Sequence, residues 1–150
     1  MVIPICVFAM SLIQVPASRM DVCVDVAAEA EAQGVPPHVA VAVALVETRF
    51  NADAVSPAGA VGPIQVLPKW HCPGRTAKGC DLVSTGIALL RRLRLKYGSW
   101  GLAWCHYSAG TRCTDRGRLY SIKVQRWMLA LWAGVPGVLM DEGIRPPSRL

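Results

Sequence analysis

The sequence has few charged residues and lacks the motifs that most directly assign a function. Only 17% of its 150 residues are charged while 53% are hydrophobic, so the chain is not a disordered polymer and can bury a core in one domain. No phosphate-binding glycine loop, Ser-His-Asp nucleophile arrangement, nucleic-acid motif or internal repeat is present. The sequence therefore does not indicate a nucleotide-dependent enzyme, a triad hydrolase or a nucleic-acid-binding protein.

Acidic residues are the scarcer of the two charge types. Ten Asp and Glu residues stand against sixteen Lys and Arg, which gives a formal net charge of +6. A basic balance favours anionic partners such as nucleic acid, anionic lipid or the polyanionic cell wall. Charge alone does not choose among them, and a basic surface that serves only solubility has the same composition.

The N-terminal apolar run is too short to span a bilayer comfortably. Residues 2–15 are nearly all apolar, a length that suits the hydrophobic region of a signal peptide. Val15-Pro16-Ala17 supplies small residues before a cleavage point at Ser18, but no Lys or Arg precedes the run. We predict that residues 1–17 are a signal peptide or an apolar N-terminal segment, either an uncleaved arm or a membrane anchor.

The cysteines lack the spacing of a structural zinc site. Cys72 and Cys80 enclose one short loop and Cys105 and Cys113 enclose another, and neither pair is a Cys-x₂₋₄-Cys pair. Two local disulfides are therefore predicted, and such bonds persist in an oxidising compartment.

Two further observations qualify this interpretation. His71 and His106 adjoin these cysteines, so a metal site is the competing hypothesis. Cys6 would leave with a signal peptide, and Cys23 is then expected to have no partner.

Helical periodicity predicts an all-α domain over residues 18–133, followed by a loose tail at 134–150. The predicted helices cover residues 19–33, 37–50, 63–67, 81–97, 100–106 and 117–132. In the first helix, which ends before a capping Gly34, the predicted apolar face consists of Met20, Val24, Ala27 and Ala28. The second helix is apolar on all sides, which predicts a buried central helix. Proline and glycine recur through residues 51–80, which predicts a loop-rich cleft after that helix.

A lone carboxyl ends the predicted central helix. Glu47 follows Val43, Ala44 and Val46, which offer it little hydration, so desolvation should raise its pKa. A protonated carboxyl in a cleft can donate its proton to a glycosidic oxygen. The alternative is an ordinary exposed Glu that pairs with Arg49 or with solvent.

Residues 45–68, LVETRFNADAVSPAGAVGPIQVLP, resemble the lysozyme-like lytic transglycosylase (SLT domain) family, which is related to goose-type lysozyme. In that family the catalytic helix ends in Glu-Ser, and a Phe-Asn-Ala-Val-Ser-Pro-Ala-Gly-Ala-Gly-Met-Gln type loop follows. HYSAG at 106–110 resembles the family's Tyr-Asn-Ala-Gly motif, and Leu119-Tyr120 with Val124 resembles its closing helix. The likeness covers about residues 22–130, in the family's order. It implies a single lysozyme-like helical domain that acts on peptidoglycan glycan strands without a cofactor or metal.

The resemblance implies that Glu47 is the general acid and then the base. In the family, the C6 hydroxyl of N-acetylmuramic acid attacks the anomeric carbon and leaves a 1,6-anhydro product. One carboxyl is enough because the nucleophile belongs to the substrate. Asp53, in the following loop, leaves lysozyme-type hydrolysis open, since hydrolysis normally needs a second carboxylate. A non-catalytic wall-binding or assembly protein on the same fold is the other alternative.

The resemblance also implies a set of substrate-binding residues: Thr48, Ser56, Gln65, Tyr107, Ser108 and Tyr120. Thr48 stands where the family has Ser, Ser108 where it has Asn, and Gly62-Pro63-Ile64-Gln65 where it has Gly-Leu-Met-Gln. These departures bear on substrate preference and leave the acid in place. Ser56 as a turn former and Tyr120 as a core residue are the structural alternatives for those two.

The family's settings give two expectations for partners and location. The protein is exported to the periplasm or cell envelope, where it serves a secretion or conjugation apparatus. Alternatively it is phage-encoded, and is then carried by the phage particle or released at lysis.

Overall fold

A computed structural model describes residues 1–136, and this part of the chain is helical. The helices are α1 (Val2–Leu12), α2 (Met20–Ala32), α3 (Pro37–Glu47), α4 (Pro68–His71), α5 (Leu82–Tyr97), α6 (Trp100–Ala109) and α7 (Asp115–Gly134), with 3₁₀ turns at Ala17–Arg19 and Pro73–Arg75. The described residues contain isolated β-bridges but no strand. The all-α prediction is confirmed. Residues 137–150, most of the predicted tail, lie outside the described part.

α3 is the central helix because its side chains are apolar on almost every side. Residues 38–45 are all buried, and α1, α2 and α7 pack around them. His38 is the polar member of this run, and its Nε2–H donates a 2.6 Å hydrogen bond to the Val135 carbonyl at the end of α7. Burial lowers the pKa of His38, so the imidazole is held neutral in the core. The prediction of a buried central helix is confirmed.

α2 buries a face that differs from the predicted one. Its fully buried residues are Cys23, Val26, Ala27 and Ala30. Val24 is half-buried and Ala28 is exposed, although the sequence pattern placed both on the apolar face. The difference arises because α1 packs against α2 and covers Cys23. Gly34 follows the helix at a φ of 71°, as a glycine that ends a helix commonly does.

Three disulfides fasten the helices and loops. Cys72–Cys80 and Cys105–Cys113 are bonded as the sequence predicts. A third bond joins Cys6 in α1 to Cys23 in α2. Cys23 therefore has a partner in the uncleaved chain, and the expectation that it has none after removal of a signal peptide stays a prediction. None of the helices within residues 1–136 is both long enough and apolar enough to cross a membrane.

The loop after α3 folds as bridged turns and not as the short helix predicted at 63–67. Val61 forms antiparallel bridges with Val55 and with Val66. Gln65, between two of these residues, has a φ of 56°, which a right-handed helix does not allow.

Gly86 of α5 lets this loop approach closely. A Cβ added there would lie 2.2 Å from Cδ1 and 2.8 Å from Cγ1 of Ile64, inside any real contact distance. Ile64 and Gly86 are both buried. A side chain at position 86 would therefore push the loop away from α5 and from the end of α3.

Candidate active site

Glu47 is the last residue of α3 and lies on an open pocket of about 300 Å³. The pocket is lined by Ile13, Leu45, Val46, Glu47, Thr48, Arg49, Lys123 and Trp127. Glu47 is the single carboxyl group among these residues. Its position at the end of an apolar helix places an ionisable group between a hydrophobic core and a cavity open to solvent.

The surroundings of Glu47 favour its protonated form. Burial raises the pKa of this carboxyl and is the largest influence on it. A 2.6 Å hydrogen bond from the Tyr120 hydroxyl to Glu47 Oε1, and the positive charge of Lys123, lower the pKa by less. The net effect is a raised pKa, so the group can hold a proton at a higher pH than an exposed glutamate.

The chain reverses direction directly after the acid. Arg49 and Phe50 have φ angles of 51° and 63°, a left-handed conformation that side chains other than glycine seldom adopt. Phe50 is fully buried, and Arg19 donates a 3.1 Å hydrogen bond to the Arg49 carbonyl. Burial of one residue and a bond to the other stabilise a backbone that is unfavourable by itself.

Thr48 joins the end of α3 to the loop. Its hydroxyl donates to the Pro63 carbonyl at 2.7 Å and accepts from the Asn51 N–H at 3.1 Å. Thr48 also lines the pocket that contains Glu47. Its hydroxyl is used in the fold, and substrate binding by this residue stays a prediction.

Ser56 and Gln65 both hydrogen-bond within the loop. The Ser56 hydroxyl accepts a hydrogen bond from the Ala60 N–H at 3.0 Å, so Ser56 forms a turn, as its structural alternative predicts. Gln65 Nε2 donates to the carbonyls of Ala54 at 3.1 Å and Gly62 at 2.9 Å. Neither side chain lines the Glu47 pocket. Both stiffen the cleft, and direct contact with substrate remains a prediction.

Tyr107, in α6, connects that helix to the loop. Its hydroxyl donates a 2.6 Å hydrogen bond to the Ile64 carbonyl. Burial, and to a smaller extent the charge of Glu47, raise the pKa of Tyr107, so the phenol stays neutral. Ser108, the next residue, is exposed and is not part of the pocket lining.

The structure thus brings some of the predicted residues together and adds others. Glu47 and Thr48 share the pocket, and Tyr120 contacts the Glu47 carboxyl. Sequence reasoning missed three lining residues: Ile13, Lys123 and Trp127. Lys123 and Trp127 lie three and seven residues after Tyr120, on one face of α7, so helical spacing from Tyr120 was a usable signal. Ile13 carried no such signal because it lies far from the motif in sequence.

Disulfide bonds remove the thiolate ligands that the competing metal hypothesis requires. The sulfurs of Cys72 and Cys105 are in disulfides. His106 Nδ1–H donates to the Gly110 carbonyl at 2.7 Å, and its ring stacks on Tyr97. Within residues 1–136 there is no group of three or more His, Cys, Asp or Glu side chains suited to holding a metal ion.

Comparison with known protein families places the central part of the chain in a described family. Residues 25–128 match the family described as the transglycosylase SLT domain. The match covers more than half of the chain and includes Glu47, the loop after it, Tyr107 and Tyr120. Neither a curated protein nor a solved structure matches the chain.

Proposed function

The chain belongs to the transglycosylase SLT domain family, and from that premise we propose that it is a peptidoglycan lytic transglycosylase. The reaction is cleavage of the β-1,4 bond between N-acetylmuramic acid and N-acetylglucosamine, with formation of a 1,6-anhydromuramic acid end. Glu47 acts first as the general acid and then as the general base. The chemistry requires no cofactor, because acid, base and nucleophile are supplied by one side chain and the substrate.

The observation that carries this proposal is the state of Glu47. It is the one carboxyl on the pocket, burial raises its pKa, and Tyr120 fixes Oε1 with a 2.6 Å hydrogen bond. A general acid needs a proton at the operating pH and a fixed direction in which to give it. The raised pKa and the hydrogen bond from Tyr120 both support this role for Glu47.

The proposed steps balance without water. Protonated Glu47 gives its proton to the bridging oxygen as the bond from that oxygen to the muramoyl C1 breaks. The carboxylate then takes the proton of the C6 hydroxyl as O6 bonds to C1. Glu47 ends in its starting state, and because the nucleophile is held in the substrate, this ring closure has the advantage of an intramolecular reaction.

Hydrolysis as in a lysozyme is the first alternative, and the positions of other carboxylates speak against it. Asp53 is exposed and does not line the pocket. Asp81 accepts the Ser84 N–H at the start of α5, and Asp115 pairs with Arg118 at 2.7 Å. A hydrolase normally uses a second carboxylate to activate water, and the pocket lining offers none. The second alternative is a non-catalytic wall-binding or assembly protein. Such a function gives no reason for the raised pKa of Glu47.

For the setting, we propose export to the periplasm or cell envelope, where peptidoglycan is. The disulfides Cys72–Cys80 and Cys105–Cys113, which removal of a signal peptide would leave intact, support an oxidising compartment. Service to a secretion or conjugation apparatus, or to a phage particle, stays part of the proposal, as does the signal peptide at residues 1–17.

Product mass tests the proposal directly. Purified sacculi are incubated with the wild-type protein, with Glu47→Gln and with Glu31→Gln, a control at an exposed position on α2. We expect anhydro ends, lighter than reducing ends by one water, from the wild type and the control, and none from Glu47→Gln. Reducing ends would establish hydrolysis instead. Unchanged release by Glu47→Gln would rule out the catalytic role of that residue.

A further inference from the structure

Two cations lie on the rim of the Glu47 pocket from different elements. Arg49 follows α3 and Lys123 belongs to α7, and both line the same cavity of about 300 Å³. Among residues 1–136, no other charged residue lines it except Glu47 itself. Within residues 1–136 neither cation has an ion-pair partner. The pocket is therefore more cationic than its single acid can balance.

This imbalance is greatest in the state that the proposed reaction requires. When Glu47 carries its proton, the pocket contains a neutral acid and two positive side chains. Tyr120 and Tyr107, the other titratable groups close to Glu47, have pKa values raised by burial and also stay neutral. An anionic group entering the pocket would then meet two cations and no competing negative charge.

Contacts of the Arg49 backbone and of the next residue, and not of the Arg49 side chain, hold Arg49 in position. Its backbone is in the left-handed conformation, its carbonyl accepts a hydrogen bond from Arg19, and the next residue, Phe50, is buried. Lys123 is placed by the packing of α7 on α3. Val46 and Trp127 supply apolar surface in the same lining, which suits the ring of a sugar. The backbone of each cationic residue is thus held beside a surface that can hold a carbohydrate.

We propose that Arg49 and Lys123 form a carboxylate-binding subsite that recognises the anionic substituent of the muramoyl sugar. This inference rests on the proposed function and names the feature of the glycan that the pocket selects. N-acetylmuramic acid differs from N-acetylglucosamine by a lactyl ether, which ends in a carboxylate when it is free and in an amide when it carries a stem peptide. The stem peptide has carboxylates of its own. Either source presents the same chemistry to the two cations.

The test compares each protein on a charged and a neutralised substrate. Glycan strands freed of stem peptides carry lactyl carboxylates, and conversion of those carboxylates to amides gives a neutral strand of the same length. The variants are Arg49→Gln, Lys123→Gln and their double mutant, with Lys78→Gln/Arg116→Gln as a control of equal charge change at exposed positions outside the pocket. The ratio of kcat/KM on the two strands is measured for each protein. The ratio is taken at the pH optimum of each protein on each strand, so that a change in the pKa of Glu47 does not enter it.

We expect the wild type and the control to prefer the charged strand, with the preference residing in KM. In each pocket variant, the ratio of kcat/KM on the charged strand to kcat/KM on the neutral strand should fall about two- to fivefold. This is the size expected for loss of an exposed ion pair. Added salt should reduce the preference of the wild type as well, which gives a test that needs no variant. Equal losses on both strands, or no loss, overturn the subsite.

Binding measurements separate this inference from the proposed reaction. Charged and neutral strands are titrated into Glu47→Gln protein with and without the Lys123→Gln change. Tighter binding of the charged strand that depends on Lys123 supports the subsite even if the wild type shows no turnover. Indifference to strand charge overturns it even if the wild type is fully active. Strands that keep their stem peptides identify the source further: a Lys123-dependent preference for them over neutral stripped strands shows that the peptide carboxylate is bound as well, and a preference confined to charged stripped strands assigns the lactyl group alone.

Discussion

The Tyr120 hydroxyl donates a 2.6 Å hydrogen bond to Oε1 of Glu47, joining α7 to the end of α3 across 73 residues of sequence. The two side chains oppose each other in their effects on ionisation. The hydrogen bond favours the charged carboxylate and lowers the pKa of Glu47, while the charge of Glu47 contributes to the raised pKa of Tyr120. Tyr120 therefore fixes the direction of the acid and limits the rise that burial imposes on it.

Tyr120→Phe should separate these two effects. Loss of the hydrogen bond should lower kcat about tenfold, which corresponds to about 1.4 kcal/mol and lies within the range of a bond to a charged group. The pKa of Glu47 should rise further, because an interaction that favours its charged form is removed. The alkaline limb of the pH–rate profile should consequently move to higher pH.

The control for that change is Tyr97→Phe. Tyr97 stacks on His106 and its hydroxyl has no hydrogen-bond partner within residues 1–136. This variant should keep the wild-type rate and pH profile. A Tyr120→Phe protein with an unshifted limb would mean that the hydroxyl does not interact with Glu47 in the working enzyme.

The stability of the protein should depend on the ionisation of Glu47. Its pKa is raised in the folded state above the ordinary value of 4.5, so the folded chain binds more protons than the unfolded chain between those two values. The free energy of unfolding should accordingly fall as pH increases through that window and level off above the raised pKa. Glu47→Gln removes this pH-dependent contribution to the free energy of unfolding, while the amide oxygen of Gln can still accept the hydrogen bond from Tyr120.

Denaturant unfolding at a series of pH values measures the effect. The difference in unfolding free energy between Glu47→Gln and the wild type should grow with pH across the window, in favour of the variant, even though the variant is inactive. Glu31→Gln, at an exposed position, should show no such trend. A constant difference from pH 4 to pH 8 would show that the carboxyl is as well hydrated folded as unfolded.

Gly86→Ala should weaken the fold and the cleft together. The added methyl would lie 2.2 Å from Ile64 Cδ1, and overpacking of this kind costs about 1–3 kcal/mol, which exceeds the gain of about 1 kcal/mol in helix propensity. Ile64 also accepts the Tyr107 hydrogen bond, so its displacement should disturb the loop beside the pocket. Gly101→Ala is the matched control, since its methyl would meet nothing closer than 3.8 Å. Thermal unfolding should show a lower Tm for position 86 alone.

Removing the disulfides one pair at a time should lower stability by similar amounts. Replacing both cysteines of Cys72–Cys80, or both of Cys105–Cys113, with Ala opens loops of 8 residues, for which loop closure predicts about 2–3 kcal/mol each. Denaturant unfolding under non-reducing conditions checks this.

Peptide mapping without reduction tests the N-terminus at the same time. A peptide linking Cys6 to Cys23 would show that the apolar segment is retained, as the described fold has it. A protein that starts after residue 17 with a free Cys23 would show that the predicted signal peptide is removed.

The local features of this molecule were predictable from its sequence. Pro37 near the start of α3 and the apolar run through it predict that helix without reference to any other part of the chain, although it ends at Glu47 and not at the predicted residue 50. The two predicted disulfides were predictable from their short spacings in the same way. The prediction that Glu47 is the acid came from the family resemblance, since its neighbours alone left an ordinary exposed Glu open.

Features that depend on distant packing were not predictable in this way. The bridged turns around Val61 pack against Gly86, in another helix, which a local pattern does not record. The buried face of α2 was misjudged because α1 covers Cys23. Ile13 lies on the Glu47 pocket only after the helices have assembled, and no short-range pattern predicts this position, whereas Lys123 could have been predicted from its helical spacing to Tyr120.

Phe50 has a consequence for how this protein can evolve. Its buried ring anchors the chain immediately beyond Glu47, so the interval from Glu47 to Phe50 acts as a spacer of fixed length. One residue inserted into or deleted from that spacer would change its reach by up to about 3.6 Å and displace the Glu47 carboxyl from Tyr120. Length changes should therefore be rejected in this interval and accepted in the exposed turn around Gly59, where the backbone has room to absorb them.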